Sequence, residues 1–62
     1  MSPSRFKHIR ERLGLSQKQL ANKWQRDERT IRRYESGERD IPVPIYELME
    51  RYFDDLDKIA KD

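Results

Sequence analysis

Sixty-two residues with 34% hydrophobic content allow one small domain with a thin core, which a compact helical bundle fills most economically. The absence of cysteine and the single histidine, His8, exclude a disulfide framework, a Cys-based zinc or redox site and most His-ligand metal sites, and fit a reducing compartment. Net charge is only +2, but residues 1 to 39 hold eleven Lys/Arg against five Asp/Glu and residues 40 to 62 hold three against seven, so the chain joins a basic stretch suited to a polyanion to an acidic tail that a polyanion would repel.

Met1 to Ser4 form a short arm in which Ser2 or Ser4 can cap a helix running to about Leu13, with Pro3 tolerated in its first turn. Phe6, Ile9 and Leu13 are its apolar stripe. Gly14 sits where that helix should stop, and Leu15 follows as the hydrophobic closure contact of a glycine ending. Ser16 with Gln19 three residues later has capping-box spacing, so a second helix should start near Gln17 and show Leu20, Ala21 and Trp24 on one face. Asp27 caps a third. On it Ile31 and Tyr34 are the apolar pair, and at about 100° per residue they leave Arg29 and Arg33 nearly opposite, away from any core. Two short helices joined this tightly meet at an angle, the helix-turn-helix arrangement.

After Glu35 the Ser-Gly-Glu-Arg-Asp segment is a turn with Gly37 free to take positive φ, and Ile41-Pro42-Val43-Pro44 is a stiff extended connector. From Ile45 the apolar positions are Ile45, Leu48, Met49, Tyr52, Phe53, Leu56, Ile59 and Ala60, a 3-4 spacing without glycine or proline. That pattern predicts one long helix from about 44 to 60, with a break at Asp54, a possible N-cap, as the alternative. A bundle of this size buries the stripe only to about Tyr52, and the apolar remainder needs another partner.

No apolar run reaches the length of a membrane span, and the polar, basic N-terminus lacks the apolar core of a secretory leader, so a cytoplasmic location is expected. No Ser/His/Asp or Cys/His set and no glycine-rich phosphate loop is present, which argues against an enzyme. Asp54, Asp55 and Asp57 lack the spacing and glycine of a calcium loop and read as a solvated helix start.

The residues Leu-Gly-Leu-Ser-Gln-x-x-Leu-Ala at 13 to 21, Thr-Ile at 30 and 31, and Tyr-Glu-x-Gly at 34 to 37 give a pattern of strong specificity. From about Arg5 to Tyr52 the chain resembles the DNA-binding domain of the phage repressor, Cro and Xre family. The resemblance implies an all-α, four- to five-helix repressor-like bundle. It also implies that the first residues of the second helix grip phosphate, that the third helix lies in the major groove, and that an arginine of the first helix pairs with a glutamate ending the third. Ser16 and Gln17, the helix 28–35, and Arg10 with Glu35 fall on those positions. Two departures stand out. Gln25 and Arg26 occupy the turn where family members usually have Gly and an aliphatic residue, with Trp24 available to fill the missing anchor, and the common Gly near a fifth helix is absent around Arg51 to Asp54.

Residues 1–62 are thus expected to form one helix-turn-helix domain, with 53–62 as a dimerisation extension. Glu28, Arg29, Arg32 and Arg33 are the candidates for base readout, and Ser16, Gln17, Lys18, Arg26 and Arg39 for phosphate. Arg10 and Glu35 form the structural ion pair. Ile41, Val43, Pro44, Tyr52, Phe53, Leu56 and Ile59 are the candidates for a dimer interface. The expected partners are duplex DNA carrying an inverted-repeat operator and a second copy of the chain, with repression as the implied outcome; no cofactor, metal, membrane or small-molecule effector is implied. The alternative is an antitoxin- or adaptor-like interaction module that uses the apolar last helix. Steep salt dependence of duplex binding separates the two.

Overall fold

The computed structural model describes residues 1–61, and the side chains of all of these except Asp57, Ile59, Ala60 and Lys61. Helix α1 spans Pro3–Arg12, capped by the Ser2 hydroxyl, which accepts from the Arg5 N–H at 3.1 Å. It stops because Gly14 takes φ +74, so that the Gly14 N–H donates to the Glu11 carbonyl at 2.9 Å and the Leu15 N–H to the Arg10 carbonyl at 3.3 Å. This pair of bonds is the Schellman ending that a left-handed residue makes possible. Helix α2, Gln17–Lys23, opens on a full capping box: the Ser16 Oγ accepts from the Gln19 N–H at 3.0 Å, and the Gln19 Oε1 accepts from the Ser16 N–H at 2.8 Å.

The end of α2 repeats the end of α1 without a glycine. Gln25 adopts φ +56, its N–H donates to the Asn22 carbonyl at 3.2 Å, and the Arg26 N–H donates to the Ala21 carbonyl at 2.8 Å. The turn therefore winds left-handed although a glutamine stands there, at the steric cost a Cβ brings to this conformation. Two residues on, the Asp27 carboxylate accepts from the Arg29 N–H at 2.9 Å and starts α3, Glu28–Ser36. Gly37 at φ +81 ends α3, and α4 runs over Val43–Lys61.

Phe6, Ile9, Leu20, Ala21, Ile31, Tyr34 and Met49 form the buried core, to which every helix contributes. Phe6 is its hub. The ring meets Tyr34 edge-on at 5.7 Å and Trp24 at 6.2 Å, the quadrupole-favoured geometry for aromatic pairs. Trp24, half-buried, packs against this cluster. Helix α1 packs on α3 and α4, and α2 on α3.

Among the described residues there are four helices and no strand, which is the expected all-α bundle in its four-helix form. Helix α4 is the one long helix that the apolar spacing predicts and passes through Asp54 without the alternative break; the reading of Asp54 and Asp55 as a solvated helix start needs correction, since both are exposed residues inside a helix whose apolar phase continues on either side. The buried stripe ends about where a bundle of this size was expected to end it, with Tyr52 and Phe53 both partly buried against the core.

Candidate nucleic-acid interface

The orientation of α3 is set from beneath by an ion pair. Arg10, only 8% exposed on α1, donates from Nε to the Glu35 Oε2 at 2.6 Å and from Nη2 to the Glu35 Oε1 at 3.1 Å. Its Nη1 donates to the Leu15 carbonyl at 2.7 Å, and the Gln17 Nε2 donates to the Glu35 Oε1 at 3.1 Å. One guanidinium thus joins α1, the α1–α2 connection and the last turn of α3, with the start of α2 tied in through Gln17. Among the described residues no buried side-chain nitrogen or oxygen lacks a partner, so this network is fully satisfied, the condition on which burial of a charge pair is tolerable.

With Ile31 and Tyr34 turned inward, α3 presents Arg29, Arg32 and Arg33 to solvent. Glu28, at its first turn, is half-buried. Arg33 has a neighbour: its Nε lies 3.1 Å from the Oε2 of Glu38, beyond the end of the helix. Lys18 on α2, Arg26 in the turn before α3 and Arg39 after Gly37 are all exposed. Ser16 and Gln17 differ from the other phosphate candidates in that their side chains already hold the capping box and the Glu35 carboxylate.

On the opposite side of α1, Arg5 grips Glu50 of α4, Nε to Oε1 at 3.0 Å and Nη2 to Oε2 at 2.9 Å, with about two-fifths of both side chains exposed. The hydrogen bond from Arg5 holds the Glu50 carboxyl below its ordinary pKa, against a smaller upward push from desolvation, and the same bond raises Arg5. The Arg5 guanidinium also lies 4.8 Å from the centroid of the Phe53 ring, which the exposed His8 faces from 6.0 Å. Tyr52 is similarly engaged, with the Lys23 Nζ 5.5 Å from its ring and the Trp24 Nε1 donating to its Oη at 3.5 Å.

Tyr52 and Phe53, candidates for a contact between copies, therefore spend most of their surface within the protomer. Of the others, Ile41 is half-buried against the core, Pro44 is exposed, Leu56 is half-buried and Val43 is 51% exposed; Ile59 lies outside the described side chains. The bonds of the Leu15 carbonyl and the Gln17 amide to the Arg10–Glu35 pair, and the ion pairs of Glu38 and Glu50, are not legible in the sequence. Arg33 and Glu38 are five apart, not a helical contact spacing, and only the left-handed Gly37 between them hints that the chain doubles back.

Among the described residues no helix is long and apolar enough to cross a membrane, and no group of His, Cys, Asp or Glu is gathered to hold a metal ion. A family model described as a helix-turn-helix domain matches residues 4–54. No curated protein and no solved structure matches the chain.

Proposed function

The chain belongs to the helix-turn-helix domain family, of the Xre and Cro type, which makes it a DNA-binding domain of the regulator class, and from that premise we propose a sequence-specific repressor that binds an inverted-repeat operator as a homodimer. The observation that carries the reading is the two-faced burial of α3: Ile31 and Tyr34 lie in the core while Arg29, Arg32 and Arg33 stand exposed on the other side. Each arginine has the fork that matches guanine O6 and N7, and Glu28 can accept from a cytosine amino group, so α3 is the element for the major groove. Lys18, Arg26 and Arg39 act on phosphate and set register, with Ser16 and Gln17 contributing where the start of α2 meets the backbone. Repression follows by analogy with the family, by occlusion of a promoter.

One reading helix covers too few base pairs to find a site in a genome, which is why two copies about 34 Å apart are proposed. Support comes from the exposed Val43 and the half-buried Leu56, apolar side chains of the acidic helix α4, which DNA would not attract. Selection of bound duplexes from random DNA tests the reading. The selected half-sites carry guanines, and Arg33→Ala costs about 1–3 kcal/mol with relaxed preference at one position, whereas Arg39→Ala weakens all duplexes alike. Equal loss on selected and random duplexes for Arg33→Ala would remove it from base readout. For the homodimer, Leu56→Asp with Ile59→Asp gives a folded monomer in sedimentation with much weaker operator binding; an intact dimer overturns that interface.

A further inference from the structure

We propose that Glu38 is a specificity-determining residue that holds the charge of Arg33 away from phosphate while leaving its hydrogen-bonding fork for a base. The inference rests on the DNA-binding reading above and concerns a carboxylate on the surface that would face the polyanion. Its position is built, not incidental. Gly37 at φ +81 reverses the chain at the end of α3, the Arg39 N–H returns to the Arg33 carbonyl at 3.2 Å, and the Ser36 hydroxyl, donating to that same carbonyl at 3.2 Å, accepts from the Glu38 N–H at 3.3 Å. This knot sets the Glu38 carboxylate 3.1 Å from the Arg33 Nε, with both side chains still open to solvent. Among the described residues Arg29 and Arg32, on the same face, have no such counter-charge.

A guanidinium attracts phosphate chiefly through its net charge, and any sequence offers phosphate. It recognises guanine through a pair of N–H groups, and only a correct base offers that edge. A carboxylate on the Nε side offsets the first interaction, while the two Nη groups remain for the second. Glu38 therefore lowers the affinity of Arg33 for random DNA more than for a site with guanine in place, and discrimination rises as total affinity falls.

Binding of the full chain and of Glu38→Gln, Arg33→Gln and the double variant to a duplex selected from a random pool and to its scrambled counterpart, across a salt series, decides the matter. Glu38→Gln raises affinity for the scrambled duplex by about twofold to fivefold, the range for an exposed charge pair, and steepens its salt slope by up to about one unit. The selected duplex gains less, so the ratio of affinities falls; in the Arg33→Gln background the ratio no longer responds to residue 38. An unchanged or higher ratio in Glu38→Gln overturns the proposal. So does an equal fall in the Arg33→Gln background, which would make Glu38 a general repulsive charge, or a drop in melting temperature on Glu38→Gln as large in the Arg33→Gln background as in the unsubstituted chain, which would make it a loop support. If the unsubstituted chain shows no salt-dependent duplex binding, the DNA-binding reading itself fails first.

Discussion

Two arginines of α1 each hold a glutamate of another helix through two hydrogen bonds, and the pairs differ mainly in their access to water. Arg10 reaches Glu35 of α3 with the two side chains only 10% and 5% exposed, and further bonds from Arg10 to the Leu15 carbonyl and from Gln17 to Glu35 complete the set. Arg5 reaches Glu50 of α4 with 42% and 39% exposed. In the first case neither charge can be released to solvent if its partner is lost, whereas in the second water takes over at once. The side of the bundle that carries α3 is thus fastened by a contact that fails completely or not at all. The side that carries α4 is fastened by a clasp that can open and close.

The largest test of that contrast is Glu35→Ala, which strands a buried guanidinium and destabilises by about 3–5 kcal/mol, close to the whole stability of so small a domain. Thermal unfolding followed by circular dichroism should show a largely unfolded chain at room temperature. A sharper form replaces both partners, Arg10→Met with Glu35→Leu, which removes the stranded charge and restores most of the loss. An unchanged melting temperature for Glu35→Ala would place the pair in the same class as the exposed one.

Local chemistry explains why the capped helices were legible from residues alone. Ser2, Ser16, Asp27, Gly14 and Gly37 each act within five residues of their own position, so a short window of sequence contains both partners. The Arg10–Glu35 pairing came from the family pattern and not from spacing. Its supports did not: nothing in the sequence says that Gln17 turns to Glu35 or that Arg5 finds Glu50, because those partners meet only once α3 and α4 pack on α1. The cover over Phe53 was illegible for the same reason, since its ring lies against Arg5 and His8 of α1.

The turn that aims α3 supplies an effect of intermediate size. Gln25 and Gly14 make the same pair of bonds at left-handed φ, one with a Cβ and one without. Gln25→Gly should therefore stabilise by about 0.5–1 kcal/mol, after allowing for the greater freedom that glycine gives the unfolded chain, while Gly14→Ala should cost about 1 kcal/mol. A Cβ at Gly14 would meet nothing within 4 Å, so the loss at that position is conformational and not a clash. Denaturant titrations of the two variants measure the pair together. Destabilisation by Gln25→Gly would mean that the glutamine side chain contributes more than its backbone costs, and that the reading side draws support from outside the buried ion pair.

The smallest effect belongs to the exposed clasp and has a definite sign with pH. The hydrogen bond from Arg5 lowers the Glu50 pKa in the folded chain, so the unfolded chain binds the proton more tightly. The contribution is therefore complete above the unfolded carboxylate value of about 4.3 and is lost as pH falls through the lower folded value. Glu50→Gln should melt slightly below the unsubstituted chain at neutral pH and low salt, and the gap should close both on acidification through that window and on raising ionic strength. Melts of the two chains from neutral to acid pH at two salt concentrations check each arm. A gap at neutral pH that persists in high salt would show that water does not replace Arg5 at Glu50, and the distinction between the two sides of α1 would no longer hold.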